Sequence, residues 1–176
     1  MSKLRKIMSV LHRKLISNLN YFSSKRYMVH YTKYLRNIGL DISGLPKYID
    51  PTAQLDGLGY SITHIGDCVI ISKNVLFLNH DYSITCGLNS LGRNVTHDAY
   101  FLKSIYIGDN VFIGANSILL PGVHIGANSI IGAGSVVRGN IPDNSIVQGN
   151  PAQIIAKTTE WAIRKEVKEV IYYNDY

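Results

Sequence analysis

The first 40 residues contain no Asp or Glu, and the chain has only two cysteines, Cys68 and Cys86. No apolar run approaches the roughly 20 residues that a membrane-spanning helix needs. Each scarcity excludes something. Two cysteines cannot build a disulfide framework, so a reducing cytoplasm is the natural reading. The opening MSKLRKIMSVLHRKL has basic residues throughout and no uninterrupted apolar stretch, which makes it a poor signal peptide. The missing acids also place the net charge of +6, because Lys3, Arg5, Lys6, Arg13, Lys14, Lys25, Arg26, Lys33 and Arg36 are half of the 18 Lys and Arg. The rest of the chain is slightly acidic, so the basic character belongs to a segment. With 46% apolar and 17% charged residues, the 176 residues suffice for one domain with a core of its own.

What is present is a period of six. From Ile107 the chain reads IGDNVF, IGANSI, LLPGVH, IGANSI, IGAGSV, VRGNIP. The first position is Ile107, Ile113, Leu119, Ile125, Ile131 and Val137, aliphatic each time, and the second is Gly at 108, 114, 126 and 132. The fifth is Val111, Ser117, Val123, Ser129 and Ser135, small or β-branched, with Ile141 the exception. IGDCVI at 65–70 and ISKNVL at 71–76 keep the same phase, and Phe77 and Phe101 also fall on first positions. A period of six suits neither an α-helix nor an alternating strand. It suits a triangular solenoid of parallel strands, three hexads to a coil, with first-position side chains stacked inward and glycines giving the corners their backbone angles and close spacing.

The expected layout is a basic helical segment over 1–40, the solenoid over 41–157 with a loop projecting at 83–100, and a C-terminal helix over 158–176. Leu4, Ile7, Met8, Leu11, Leu15 and Leu19 recur at helical spacing, and a second helix is expected through 24–38. Residues 46–64 read as an imperfect first coil, and the helix starting near Thr158 or Thr159 is expected to cap the open solenoid end. SITCGLNSLGRNVTHDA breaks the period and is rich in Gly, Asn, Ser and Thr. Such a loop is either functional or an insertion without consequence. The basic segment has three possible roles: packing on its own domain, contact with an anionic membrane surface, or nucleic-acid binding. No nucleic-acid motif accompanies the charge.

The run IGDNVFIGANSILLPGVHIGANSIIGAGSVVRGNIPDNSIVQGNPAQII resembles the hexapeptide-repeat acetyltransferases, and GAGSVV and GNPA are its specific stretches. The nearest likeness is to the sugar and polysaccharide O-acetyltransferase branch, the maltose acetyltransferase-like and capsule or exopolysaccharide enzymes. Leu78-Asn79-His80-Asp81-Tyr82 resembles the segment that carries their catalytic histidine. The likeness covers about residues 62–157. It implies a left-handed parallel β-helix, a homotrimer with sites in clefts between neighbouring solenoids, acetyl-CoA as donor lying along the coils, no metal, and a carbohydrate acceptor, with a place in polysaccharide biosynthesis.

Acetyl transfer to an alcohol needs a base for the hydroxyl proton, donors for the developing oxyanion, and two substrates held together. His80 is the expected base, the alternative being a surface histidine in a turn. Asn79 and Asp81 would orient it or bind the acceptor, and His97 in the long loop would reach an acceptor sugar. The resemblance puts Phe112 where the family often has Trp, against the reacting acetyl group, and Gly114, Ala115 and Ala133 along pantetheine. All three also read as ordinary corner residues. Gln153 stands where an Arg for the CoA phosphates is expected, leaving Arg138 and Lys157 as cationic candidates or as solvated charges. His12, His30, His64 and His124 rank lower. A γ-class carbonic anhydrase-type zinc site needs two His separated by four residues, and none of His64, His80, His97 or His124 has one at that spacing. Serine or antibiotic acetyltransferase activity and a non-catalytic assembly module remain as alternatives.

Overall fold

A computed structural model of the chain describes residues 3–93 and 96–170, without the side chains of 3–9 and 167–169. Leu4, Ile7 and Met8 of the expected helical stripe, and the final residues of the expected C-terminal helix, lie outside that description. Helix α1 (Lys3–Asn18) and helix α2 (Ser24–Asn37) come first, α2 opening on Ser23, whose side chain accepts from Arg26 N. The strands then run in circuits. The first holds β1 (Asp41–Ile42) and β2 (Tyr48–Ile49); the second β3 (Thr63–Ile65), β4 (Ile70–Ile71) and β5 (Leu76–Phe77). An excursion follows, with β6 (His80–Asp81), helix α3 (Ser83–Ser90) and β7 (Phe101–Leu102). The third circuit is β8 (Ile105–Ile107), β9 (Phe112–Ile113) and β10 (Ile118–Leu119), the fourth β11 (His124–Ile125), β12 (Ile130–Ile131) and β13 (Val136–Val137). β14 (Asn140–Ile141) and β15 (Ser145–Gly149) begin a fifth, before β16 (Ala152–Lys157) and helix α4 (Thr158–Glu169).

Strands are dealt in cyclic order to three parallel sheets. The first face is β1-β3-β8-β11-β14, the second β2-β4-β9-β12-β15, and the third β5-β10-β13 with Gln54 bridged to Leu76. The first coil therefore starts at Asp41, earlier than residue 46. First-position residues from Ile65 to Val137 are at most 1% exposed and stack on one another as Ile71, Ile113 and Ile131 do, except Phe101, which was expected on the period but lies 42% exposed on β7 of the excursion. Fifth-position Ser117 and Ser135 are also buried, each hydroxyl donating to the carbonyl three residues back along its own corner, Gly114 O at 2.8 Å and Gly132 O at 2.6 Å.

Two details of the repeat differ from expectation. The positive-φ corner residue is the fourth of the hexad, held by Cys68, Asn74, Asn110, Asn116, Gly122, Asn128 and Gly134. Asn tolerates this region better than other side-chain-bearing residues. Here it also stacks, Asn110 Nδ2 donating to Asn128 Oδ1 at 2.9 Å and Asn74 Nδ2 to Asn116 Oδ1 at 3.2 Å. The second-position glycines instead serve close approach: a Cβ on Gly114 would lie 2.5 Å from Ala133 N, and one on Gly126 would lie 2.5 Å from Asp143 N. The other detail explains the exception at Ile141. A turn at Gly139 (φ 71°) shortens the hexad, so Ile141 pairs with Ile125 and is a first-position residue of the next one.

Both ends of the stacked strands are covered by specific groups. At the first, Tyr27, Met28, Tyr31 and Leu35 of α2 and Ile16 of α1 join the core over Ile42 and Ile49. The edge of the first circuit is bonded by side chains: Tyr27 OH to Ile49 O (2.7 Å), Ile49 N to Met28 Sδ (3.2 Å), Arg13 to Pro51 O (2.9 Å) and Ala53 O (2.7 Å), and Arg36 to Ile42 O. Packing is thus the role the structure gives this segment, with two of its arginines holding carbonyls. Leu11 and Leu15, expected on the packed stripe, face outward, and Ile16 with Leu19 takes their place. At the other end the cap is β16, antiparallel to β15, while α4, expected to be the cap, is largely exposed beyond it. No helix among the described residues is long and apolar enough to cross a membrane.

The glycine result predicts that Gly114→Ala lowers stability by about 1–3 kcal/mol, several degrees in a thermal melt. Gly57→Ala, where a Cβ meets nothing within 4 Å, should change it by less than about 0.5 kcal/mol. Equal melting temperatures for the two variants would remove the close-approach account.

Candidate active site

His80 stands where the third face gives way to the excursion. Leu78 N still donates to Leu119 O as a regular rung, and the next two residues leave the ladder. Asn79 is fully buried and clasps the base of the excursion: its N–H and that of His80 donate to Asp56 Oδ2 at 2.9 and 3.1 Å, its O accepts from Lys103 N (2.8 Å), and its amide Nδ2 donates to Lys103 O (3.1 Å). Its Oδ1 accepts from the Thr63 hydroxyl. Of the two roles expected for Asn79, orienting the base or binding the acceptor, these bonds match the first. β6 and β7 then pair antiparallel, and Thr85 braces Ala99 twice, through Oγ1 to Ala99 O (2.7 Å) and from Ala99 N (2.8 Å). The expected loop 83–100 therefore contains helix α3; residues 94–95 lie outside the description.

The group that holds His80 is Asp56, 24 residues earlier. Its Oδ2 takes His80 Nδ1 in a short contact, and its Oδ1 accepts from Leu58 N at 3.0 Å. The Asp56 side chain is 4% exposed and the His80 side chain 29%. Burial alone would raise this carboxyl; the donors at Leu58 N, the His80 ring and Asn79 N outweigh it and hold the carboxyl below the usual aspartate value. An ionised Asp56 accepts a hydrogen bond from Nδ1–H of His80, which leaves the Nε2 lone pair for another group. Tyr82 and Tyr100 stand edge-on to the imidazole at 5.3 and 6.4 Å and 5.1 Å from each other, both nearly half exposed. Sequence order hides Asp56 and Tyr100; the only signal was the polar DG turn in the imperfect first coil.

The other expected residues separate into groups. Asp81 is exposed and accepts from Ser83 N at 2.8 Å, starting α3; this bond and one with the Ser83 hydroxyl lower its carboxyl. It does not touch the His80 ring. His97 is exposed and bonded to Thr96, and no described contact joins it to His80. Phe112 lies on the outside of the second face between Ile70 and Ile130. Gly114 is buried, with its N–H on Ile131 O and its O accepting from Ser117, so it has no spare donor for a ligand. Ala115 and Ala133 stack at the corner between second and third faces, tied by Gly134 N to Ala115 O. Arg138, Gln153 and Lys157 are exposed, Arg138 at the corner that His80 occupies two circuits earlier, the other two on β16. His64 and His124 form an outward ladder on the first face, ring against ring with Tyr106 between them (4.5 and 4.3 Å), and Asp41 holds His64 Nδ1 at 2.9 Å. Among the described residues no group of three or more His, Cys, Asp and Glu is placed to hold a metal ion.

Parallel strands dealt in six-residue steps to three faces, with a carboxylate-held histidine where the long excursion leaves them, are the pattern of a hexapeptide transferase. Residues 104–139 match the family model described as bacterial transferase hexapeptide (six repeats). A putative acetyltransferase of Dictyostelium discoideum is 38% identical over 158 residues, 81% of this chain and 80% of that one. The galactoside O-acetyltransferase of Lactococcus lactis is 38% identical over 54% of this chain and 44% of its own length. A solved galactoside acetyltransferase in complex with coenzyme A superposes with a TM-score of 0.58 over 96% of this chain and 87% of that one, at 22% identity. The chain belongs to the hexapeptide-repeat acetyltransferase family. It spans about half the length of several curated relatives that it matches.

The Asp56 contacts carry a pH prediction. Its folded pKa is depressed, so the stability it contributes is complete above the unfolded value of about 3.9 and is lost as pH falls through the lower folded value. His80→Ala removes one donor, and a carboxyl-detected NMR titration should find Asp56 titrating at higher pH than in the parent. An unmoved Asp56 would show that the short contact has no energetic weight.

Proposed function

We propose that the protein transfers an acetyl group from acetyl-CoA to a hydroxyl of a sugar or polysaccharide, with His80 as general base. The observation that carries the reading is the ring nitrogen held by a buried carboxylate with the other ring face toward solvent and two tyrosines. The acceptor O–H gives its proton to His80 Nε2 as its oxygen bonds to the thioester carbonyl carbon. The carbon–sulfur bond then breaks, and the proton passes from the imidazolium to the departing sulfur. Asp56 fixes the tautomer and holds the ring in place through both events. A family of acetyltransferases and a sugar-acetylating relative support the donor and acceptor classes.

The same reading takes the winding as a left-handed β-helix and the working form as a homotrimer. Within one chain the third face separates His80 from Ala115, Ala133 and Phe112, which suits a site shared between neighbouring copies. The outward columns Ile70, Phe112, Ile130 and Leu76, Ile118, Val136 offer apolar cover for such neighbours. Ala115 and Ala133 would then lie along pantetheine, Phe112 beside the acetyl group, and Arg138, Gln153 and Lys157 near the phosphates. Asp81 and His97 are left to the acceptor side. Arg13 and Arg36 are occupied by the first circuit, so membrane contact through residues 1–40 would rest on the other basic side chains. The cytoplasmic assignment rests on two free, exposed cysteines.

Calorimetry and thiol-release assays test this directly. The parent should bind acetyl-CoA and release CoA in the presence of one of a panel of sugars. His80→Ala should bind acetyl-CoA comparably and lose activity by about 10²–10⁴-fold. Asp56→Asn should lower kcat by about 10²–10⁴-fold, because the amide favours the wrong imidazole tautomer, with acetyl-CoA affinity kept. A parent that binds no acetyl-CoA would return the solenoid to the class of assembly modules.

A further inference from the structure

Away from His80, a trough of about 620 Å³ opens between the end of α1 with its following turn and the first circuit. Its volume is within the range of small-molecule sites, and none of its lining residues belongs to the acetyl-transfer reading. At its floor is Asp50, 5% exposed. Asp50 Oδ1 is well used, accepting from Thr52 N (2.9 Å) and from the Thr52 hydroxyl (2.6 Å). Oδ2 has one long bond, 3.4 Å from Tyr48 OH, and that hydroxyl is itself held by Asn20 Nδ2 at 2.9 Å. A buried carboxylate oxygen with lone pairs to spare calls for another donor.

The rim has the opposite charge. Lys14 and Lys73 line the trough, and neither has a carboxylate partner among the described residues. Tyr21, also in the lining, is 88% exposed and presents a free ring. A ligand matching these three features carries hydroxyl donors for Asp50, negative charge for the two ammonium groups, and a ring with an apolar face for Tyr21. A purely anionic ligand would be repelled by Asp50, and a neutral sugar would leave the lysines unused. We infer that the trough is a second carbohydrate site, distinct from the acetyl-transfer centre, that takes an anionic saccharide such as a phosphorylated or carboxylated hexose unit.

The test is calorimetry on the full chain with glucose 6-phosphate, glucose and inorganic phosphate as separate probes. Glucose 6-phosphate should bind saturably, and each of the other two should bind at least about tenfold more weakly, the equivalent of losing one charge-assisted contact or a set of hydroxyl bonds. Lys14→Ala combined with Lys73→Ala, two exposed positions, should weaken glucose 6-phosphate by a similar factor without lowering the melting temperature. His80→Ala should leave that binding unchanged. Absence of saturable binding at millimolar glucose 6-phosphate overturns the inference, as does binding indifferent to the double lysine change. Equal affinity for inorganic phosphate reduces the trough to an anion site and overturns the saccharide assignment. Loss of binding in His80→Ala places the sugar at the acetyl-transfer centre and likewise overturns it.

Discussion

The distance between one circuit and the next governs the molecule. Parallel strands of two or three residues have few hydrogen bonds each, so every rung must form, at a spacing of about 4.8 Å. At Gly66, Gly108, Gly114, Gly126 and Gly132 a single added carbon would intrude on the next circuit. The inward aliphatics fill the interior only because the walls are held that close. The corners obey the same limit: Asn at the fourth position turns the chain and bonds to its equivalent one circuit on. The ends inherit the difficulty, because a last rung has no next circuit. α2 and Arg13 answer it with side chains at one end, and β16 answers it with a strand turned back at the other.

The path from this scaffold to the site is short. Where Asn79 leaves the ladder it is replaced as a rung by nothing, and its backbone and amide instead bind Asp56 and Lys103. That clasp leaves His80 on the rim of the scaffold with one nitrogen fixed. The three outer faces also differ in character: the first presents Asp41, His64, Tyr106 and His124, and the other two present mainly aliphatic columns. A neighbour that covers the apolar faces leaves the polar ladder in water.

Much of this was legible in the sequence, and the misses have physical reasons. The six-residue period fixed which side chains turn inward because burial in a solenoid depends on position alone, and Ile107 through Val137 obey it. His80 was singled out because Leu78–Tyr82 resembles the histidine-bearing segment of the family; its position at the break in the period would not have distinguished it from a surface histidine. Asp56 was not, because the solenoid brings it to His80 from the preceding circuit, and no local pattern encodes that approach. α3 was missed because SITCGLNS has Gly87 inside it and no helical stripe; Asp81 and the Thr85–Ala99 brace supply what propensity lacks. Leu11 and Leu15 misled because helical spacing reports a stripe without saying what faces it. Ile141 looked anomalous only while the hexad was taken as unbroken at Gly139.

The excursion that carries His80 has a consequence for the scaffold. Asn74 and Asn116 stack across 42 residues in the same way that Asn110 and Asn128 stack across 18, so the scaffold does not register the extra chain between them. The segment is a cassette joined at one clasp. Chain can be added or removed beyond Asp81 without moving the rungs on either side, because Asn79 and Lys103 close the base of the segment and His80 stands next to that closure.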